Sequence, residues 1–144
     1  MCEEKKAKNC LQKIRLYDVQ INSKLEEIAK LRAMTTKITP TLSGDVVSGT
    51  RSQDKLGDAV ARIVDLEAEI DRRIDALCDL KREAMQLLDK LQNPNHYEIL
   101  DKRYFQFKSL EQISVDMGYT YRNVCYIHGK ALQALTAIMN ETEV

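Results

Sequence analysis

The residues of this chain best suited to chemistry lie in one run near its C-terminal end: Thr120, Tyr121, Arg122, Asn123, Cys125 and Tyr126, with Lys108 before it and Lys130 after it. A guanidinium such as Arg122 donates two parallel bonds to the edge of a guanine. Tyr121 and Tyr126 combine a flat apolar ring with a hydroxyl, suited to a phosphate or a thymine methyl. Thr120 opens a helix, where backbone N–H groups and the helix dipole favour an anion. Lys108 and Lys130 suit phosphate oxygens. Tyr121, Arg122, Asn123, Cys125 and Tyr126 together form the candidate face toward duplex DNA.

Other chemistries lack their parts. His96 and His128 have no acidic or thiol partner at metal-ligand spacing, and the four cysteines (Cys2, Cys10, Cys78 and Cys125) contain no C-x-x-C. They read as reduced thiols of a reducing compartment, with Cys125 as a small packing residue. Gly44 and Gly49 lie outside any G-x-x-x-x-G-K-[ST] order. Asp65, Glu67, Glu69 and Asp71 fall on the solvated side of a helix. No nucleophile with its base can be assembled, so neither an enzyme nor a cofactor is expected.

The candidate face needs a scaffold. Ser109 with Gln112 forms a capping box, opening a short helix in which Ile113 and Met117 face inward. Gly118 closes that helix, and Thr120 caps the next, whose apolar residues are Val124, Ile127, Ala131, Leu132, Leu135 and Ile138. Ile113, Met117, Tyr119, Val124 and Ile127 are expected to hold the two helices together. This is the pattern of a helix-turn-helix, whose second helix enters the major groove by its N-terminal end.

The remainder reads as long helices. The 144 residues are 31% charged and 6% aromatic, with 5 Gly and 2 Pro, a balance that favours helix over sheet. Seven of the eight aromatics fall between Tyr97 and Tyr126, so a compact aromatic core is expected there. Over about 4–34 an apolar stripe runs through Leu11, Ile14, Ile21, Leu25, Ile28 and Leu31. Over 52–92 a second includes Leu56, Val60, Ile63, Leu66, Ile70, Ile74, Leu77, Leu80, Ala84 and Leu91. Six of its members, from Leu56 to Leu91, follow a strict seven-residue repeat. A helix this long needs a partner, and the first stripe supplies one as an antiparallel hairpin. Its greater length favours self-association as well. The Thr-, Ser- and Gly-containing stretch at about 35–51 reads as a flexible or docking loop. Asn93-Pro94 ends the long helix.

The expectation is therefore all-α: a helical hairpin or coiled coil over 1–92 and a helix-turn-helix domain over 93–144. Net charge is zero, which excludes a polybasic arm. No apolar run is long enough to span a membrane, and the first residues do not form a signal peptide, so a cytoplasmic protein is expected.

The order Ser109-Leu110-Glu111-Gln112-Ile113, Met117-Gly118-Tyr119-Thr120, Val124, Ile127, Lys130-Ala131-Leu132 and Leu135 resembles the promoter-reading C-terminal domain of bacterial sigma factors. With the preceding coil, the chain resembles small phage and prophage proteins of Gram-positive bacteria that are related to phage late-transcription regulators. The resemblance implies an oligomer that binds double-stranded DNA, regulates transcription in the bacterial host cytoplasm and touches RNA polymerase. Tyr121-Arg122 and Cys125-Tyr126 replace the residues that sigma factors commonly carry, so their usual target sequence does not transfer. Two other readings fit a coil joined to a helix-turn-helix. One is the DNA-recognition subunit of a phage packaging terminase, and the other is a coiled-coil adaptor that binds no DNA.

Overall fold

The computed structural model describes the backbone of residues 2–42 and 49–142 and the side chains of 5–36 and 54–142. The fold is all-α, with no strand among the described residues. Its elements are α1 (Cys2–Leu42), α2 (Gly49–Leu88), α3 (Pro94–Leu100), a π-helical turn (Asp101–Phe105), α4 (Leu110–Met117) and α5 (Tyr121–Thr142). They form two compact units, one of residues 18–76 and the other of residues 1–17 with 77–144.

Part of the expected loop is helical. α1 runs on to Leu42 and α2 starts at Gly49, leaving only 43–48 of the stretch outside the described residues. The threonines that suggested a loop bond within the helix instead. The hydroxyls of Thr35 and Thr36 both donate to the Arg32 carbonyl, at 2.7 and 2.9 Å, a back-bond that helices accommodate.

In the unit of residues 18–76 the two helices run antiparallel. Gln20 bonds Arg73, Lys24 pairs with Glu69 at 3.0 Å, Glu27 with Arg62 at 3.2 Å and Arg32 with Glu67 at 2.8 Å. Residues thus count up on one helix as they count down on the other. Ile21 and Ile28 are buried on α1, and Ala59, Leu66 and Ile70 on α2. The seam of α2 follows the seven-residue repeat of Leu56, Ile63 and Ile70 together with the positions three residues on, Ala59, Leu66 and Arg73. Three members of the expected stripes lie outside it: Leu25, Val60 and Ile74 are exposed. Arg73 holds the core-facing position in place of Ile74, its guanidinium on the Gln20 amide oxygen.

The other unit contains the tail. Ala7, Leu11, Ile14, Leu77, Ala84 and Leu88 are buried along its long helices, and the Lys6 ammonium donates to the Asn140 side chain at 2.9 Å. α2 ends four residues earlier than the pattern suggests, in a turn where the Lys90 and Leu91 amides bond the Leu87 and Leu88 carbonyls at 3.1 and 2.9 Å. Pro94 then begins α3, where its missing N–H costs nothing. The Asn93 side chain caps that helix by accepting from the Asn95 amide at 2.9 Å. Ile99 and Leu100 are fully buried, and α3 packs mainly on α5.

Candidate nucleic-acid interface

α4 and α5 are set by their ends. Ser109 accepts from the Gln112 amide at 3.2 Å, while the Gln112 side chain accepts from the Ser109 amide at 3.1 Å. Both bonds of the capping box are made, so two otherwise unpaired donors are satisfied. At the far end Gly118 takes φ 72° and ψ 26°, a left-handed conformation that any side chain strains. The Gly118 and Tyr119 amides bond back to Val115 and Ser114 at 3.3 and 3.1 Å. Two residues later Thr120 caps α5, accepting from the Asn123 amide at 3.1 Å. Its hydroxyl oxygen is thereby used as an acceptor, and its proton stays available to a phosphate.

The inner side of α5 carries Val124, Ala131, Leu132 and Leu135, all buried, and α4 contributes Ile113. Tyr119 does not join them. It is exposed, and its hydroxyl accepts from the Asn95 amide group at 3.4 Å. On the outer side Arg122, Tyr126 and Lys130 follow one another at four-residue spacing, all exposed. The Lys130 ammonium sits over the Tyr126 ring, 5.6 Å from its centroid, within the range of cation–π attraction. Tyr121 and Cys125 lie on the flank of this ridge, Cys125 half-buried. Tyr121 is 50% exposed and Tyr126 64%, so neither ring is spent on the fold. The Cys125 thiol beside the Tyr121 hydroxyl, with Glu111 nearby, pushes the ionisation of Tyr121 up and keeps it neutral. Asn123 is exposed as well.

Lys108 behaves differently from the sequence expectation. Its ammonium lies 2.7 Å from the Asp116 carboxylate, and Lys102 reaches the same carboxylate at 3.9 Å and Glu98 at 3.8 Å. That bond from Lys108 holds the Asp116 carboxyl below its ordinary range. Five positions separate Glu111 from Asp116, so their side chains leave α4 about 140° apart. Glu111 is the one beside Tyr121, and Lys108 is drawn to the other side. The structure therefore gathers Thr120, Tyr121, Arg122, Asn123, Cys125, Tyr126 and Lys130 on the first turns of one helix and pairs Lys108 with Asp116 on α4.

Two features behind this surface escaped sequence reasoning. The π-helical turn closes through the Gln106 amide on the Asp101 carbonyl at 3.1 Å, and Phe107 follows at φ 58°. Arg103 then donates to the Lys108 carbonyl at 3.0 Å, fastening the approach to α4. The turn places Tyr104 inside, its hydroxyl 2.9 Å from His128 Nε2 and the two rings stacked at 5.7 Å. Burial, only partly offset by Arg103, pushes the Tyr104 hydroxyl up to about 12. A residue 24 positions away leaves no local signal of such a pair.

Among the described residues no three His, Cys, Asp or Glu side chains are grouped so as to hold a metal ion, and no helix is long and apolar enough to cross a membrane. Cys10, Cys78 and Cys125 are free thiols. A cleft of about 600 Å³ near the other end of α5 is lined by Lys90, Asn93, His96, Ala134, Ile138 and Glu141 among others. Its only shifted group is His96, lowered by burial. Comparison with family models, curated proteins and solved structures returns no match.

Proposed function

We propose that this chain is a non-enzymatic, DNA-binding transcription regulator of the phage type, acting in the bacterial host cytoplasm. It reads duplex DNA with the first turns of α5 and self-associates through its long helices. The observation that carries the reading is the exposed ridge of Arg122, Tyr126 and Lys130 on a helix whose start is fixed by the left-handed Gly118 that closes α4 and by the Thr120 cap two residues later. Contact with RNA polymerase belongs to the same reading and rests on the sigma-like order of residues around Gly118.

The charge balance supports self-association. Residues 94–144 carry five basic side chains (Lys102, Arg103, Lys108, Arg122 and Lys130) against six acidic ones, and Lys102 and Lys108 already face Asp116. Affinity for duplex DNA grows with the number of phosphates neutralised, so one copy binds weakly. Linked copies recover affinity through effective concentration.

The test is selection of bound duplexes from a random-sequence pool, followed by anisotropy titration of the enriched site. Arg122→Ala is expected to cost about 1–3 kcal/mol on that site, roughly 5- to 160-fold in Kd. Binding to unselected duplex should change little, and the helix content should not change. No enrichment by the wild-type protein, or full site affinity in Arg122→Ala, would overturn the reading.

A further inference from the structure

Net charge is zero over the whole chain, but its distribution is uneven. Residues 5–17 of α1 carry five basic side chains and no acidic one, with Glu3, Glu4 and Asp18 bounding the run in sequence. Within the same compact unit, residues 77–92 balance three basic against three acidic side chains, and the tail has one acidic more than basic. The basic excess of that unit therefore lies on α1. Ala7, Leu11 and Ile14 turn inward. Lys5, Lys8, Gln12 and Arg15 follow one another at spacings of three and four, so they share one stripe, about 80° wide and about 15 Å long. All four are exposed. Lys5, Lys8 and Arg15 form no ion pair among the described residues. Glu83 of α2 reaches the opposite flank of α1, where it and Lys13 act on the Cys10 thiol.

We propose that this stripe holds the phosphate backbone of a duplex segment other than the one that α5 reads, so that one chain joins two stretches of DNA. The proposal rests on the reading of α5 for the identity of the polyanion and adds a second surface to it. A protein partner needs a buried apolar centre, and Leu16 is the one exposed large apolar residue over 5–17. An anionic membrane needs an apolar face to insert beneath the basic one, and Ala7, Leu11 and Ile14 are spent on the fold. A duplex backbone needs neither, because it binds cations without regard to sequence through release of condensed counterions. The place of the stripe separates its duplex from the first. The Lys6 ammonium donates to the Asn140 side chain at 2.9 Å, which puts the first turns of α1 level with the far end of α5. Arg122 and Asn140 are 18 positions apart on α5, about 27 Å, more than twice the roughly 12 Å width of the major groove. The groove that takes Arg122 thus does not reach Lys5 or Lys8.

The experiment uses the full chain at low salt and has two readouts. The first is anisotropy of a labelled unselected duplex, with Arg122→Ala and Lys130→Ala as the background that silences α5. Adding Lys8→Gln with Arg15→Gln should weaken binding about tenfold and flatten the dependence of log Kd on log salt by about 2. Both residues are exposed, so helix content by circular dichroism should not change. Lys30→Gln with Lys55→Gln removes the same charge from exposed positions of the hairpin and should leave affinity within about twofold. The second readout is capture of the labelled unselected duplex on beads that carry the chain, with α5 intact, bound to its selected site. The wild type should capture it and the Lys8→Gln, Arg15→Gln variant should not, while both bind the selected site alike. Capture that survives in that variant means that α5 of another copy holds the second duplex, and it overturns the proposal. Equal loss of affinity in the two glutamine pairs overturns it as well. Either result leaves the reading of α5 standing. Failure of that reading shows instead as a wild type that enriches no site, and the anisotropy of unselected duplex then still decides for or against the stripe.

Discussion

The tail, from α3 to α5, and the hairpin of residues 18–76 are both helical, yet they are specified by different means. In the tail, geometry is fixed at the ends of short helices. Asn93, Ser109 and Thr120 cap their N-termini, and Gly118 closes α4. The buried side chains of α3, the π-helical turn, α4 and α5 are apolar except for Thr136 and the tyrosine that meets His128. In the hairpin the seam itself is partly polar. Lys24 and Arg73 occupy core-facing positions and find Glu69 and Gln20 across the gap. Such groups add little net stability, but they disfavour any register that leaves them unpaired. Caps thus define the path of a chain that runs through short helices joined by tight turns. Polar seams define which residues of two long helices face each other, and they leave the outward faces open to further packing.

The largest difference should appear in alkali. Tyr104 is neutral in the folded tail and its hydroxyl ionises only near 12, against an ordinary value of 10. A raised value means that the fold favours the protonated form. The corresponding stability is complete below pH 10 and is lost as pH climbs from 10 to 12. The shift corresponds to about 2–3 kcal/mol. The urea midpoint of the wild type should therefore fall relative to that of Tyr104→Phe across that interval. Every other group that titrates there is common to both proteins. If the two lose stability in parallel, burial of Tyr104 does not distinguish the tail.

The tail was legible where its signals are local. Ser109 with Gln112, Gly118 and Thr120 each act within a few residues, and each does in the structure what its spacing implies. The π-helical turn and the left-handed Phe107 gave no warning, because neither glycine nor asparagine marks the reversal. Among the candidate site residues, the ridge on α5 followed from helical periodicity. The capture of Lys108 by Asp116 did not, since it depends on how α4 turns its carboxylates. In the hairpin, the strict seven-residue repeat was readable, but its second position was not. Val60 and Ile74 look like better core residues than Ala59 and Arg73. Pairing with α1 decided the matter, and the same pairing left those apolar residues outside.

The two glycines Gly118 and Gly57 sharpen the contrast at the scale of about 1 kcal/mol. A Cβ added at either would meet nothing within 4 Å, so packing cancels from the comparison. Gly118 has φ 72° and ends a helix, and Gly118→Ala should lower tail stability by about 1–2 kcal/mol through backbone strain. Gly57 lies within α2. There alanine relieves the entropic penalty of glycine, and Gly57→Ala should raise stability by up to about 1 kcal/mol. Calorimetric scans of the two variants should move in opposite directions. A shift of the same sign in both would mean that the long helix is not set by propensity at that position.

The smallest effect concerns which lysines belong to the proposed interface. Lys108 and Lys130 look equivalent in sequence, one just before α4 and one on α5. Lys130 rests on the Tyr126 ring beside Arg122, where its charge is not cancelled by a carboxylate. Lys108 spends its charge on Asp116 at 2.7 Å. To reach a phosphate it must give up that pair, and the carboxylate left behind would repel the same phosphate. Each lysine that neutralises a phosphate steepens the dependence of log Kd on log salt by close to one. Lys130→Ala should therefore flatten the slope by about 1, whereas Lys108→Ala should leave the slope unchanged and alter duplex affinity less than about twofold. Equal slopes for the two variants would place Lys108 at the DNA after all. The reading surface would then extend from α5 across the start of α4, and the tail would use its caps to position two contact segments instead of one.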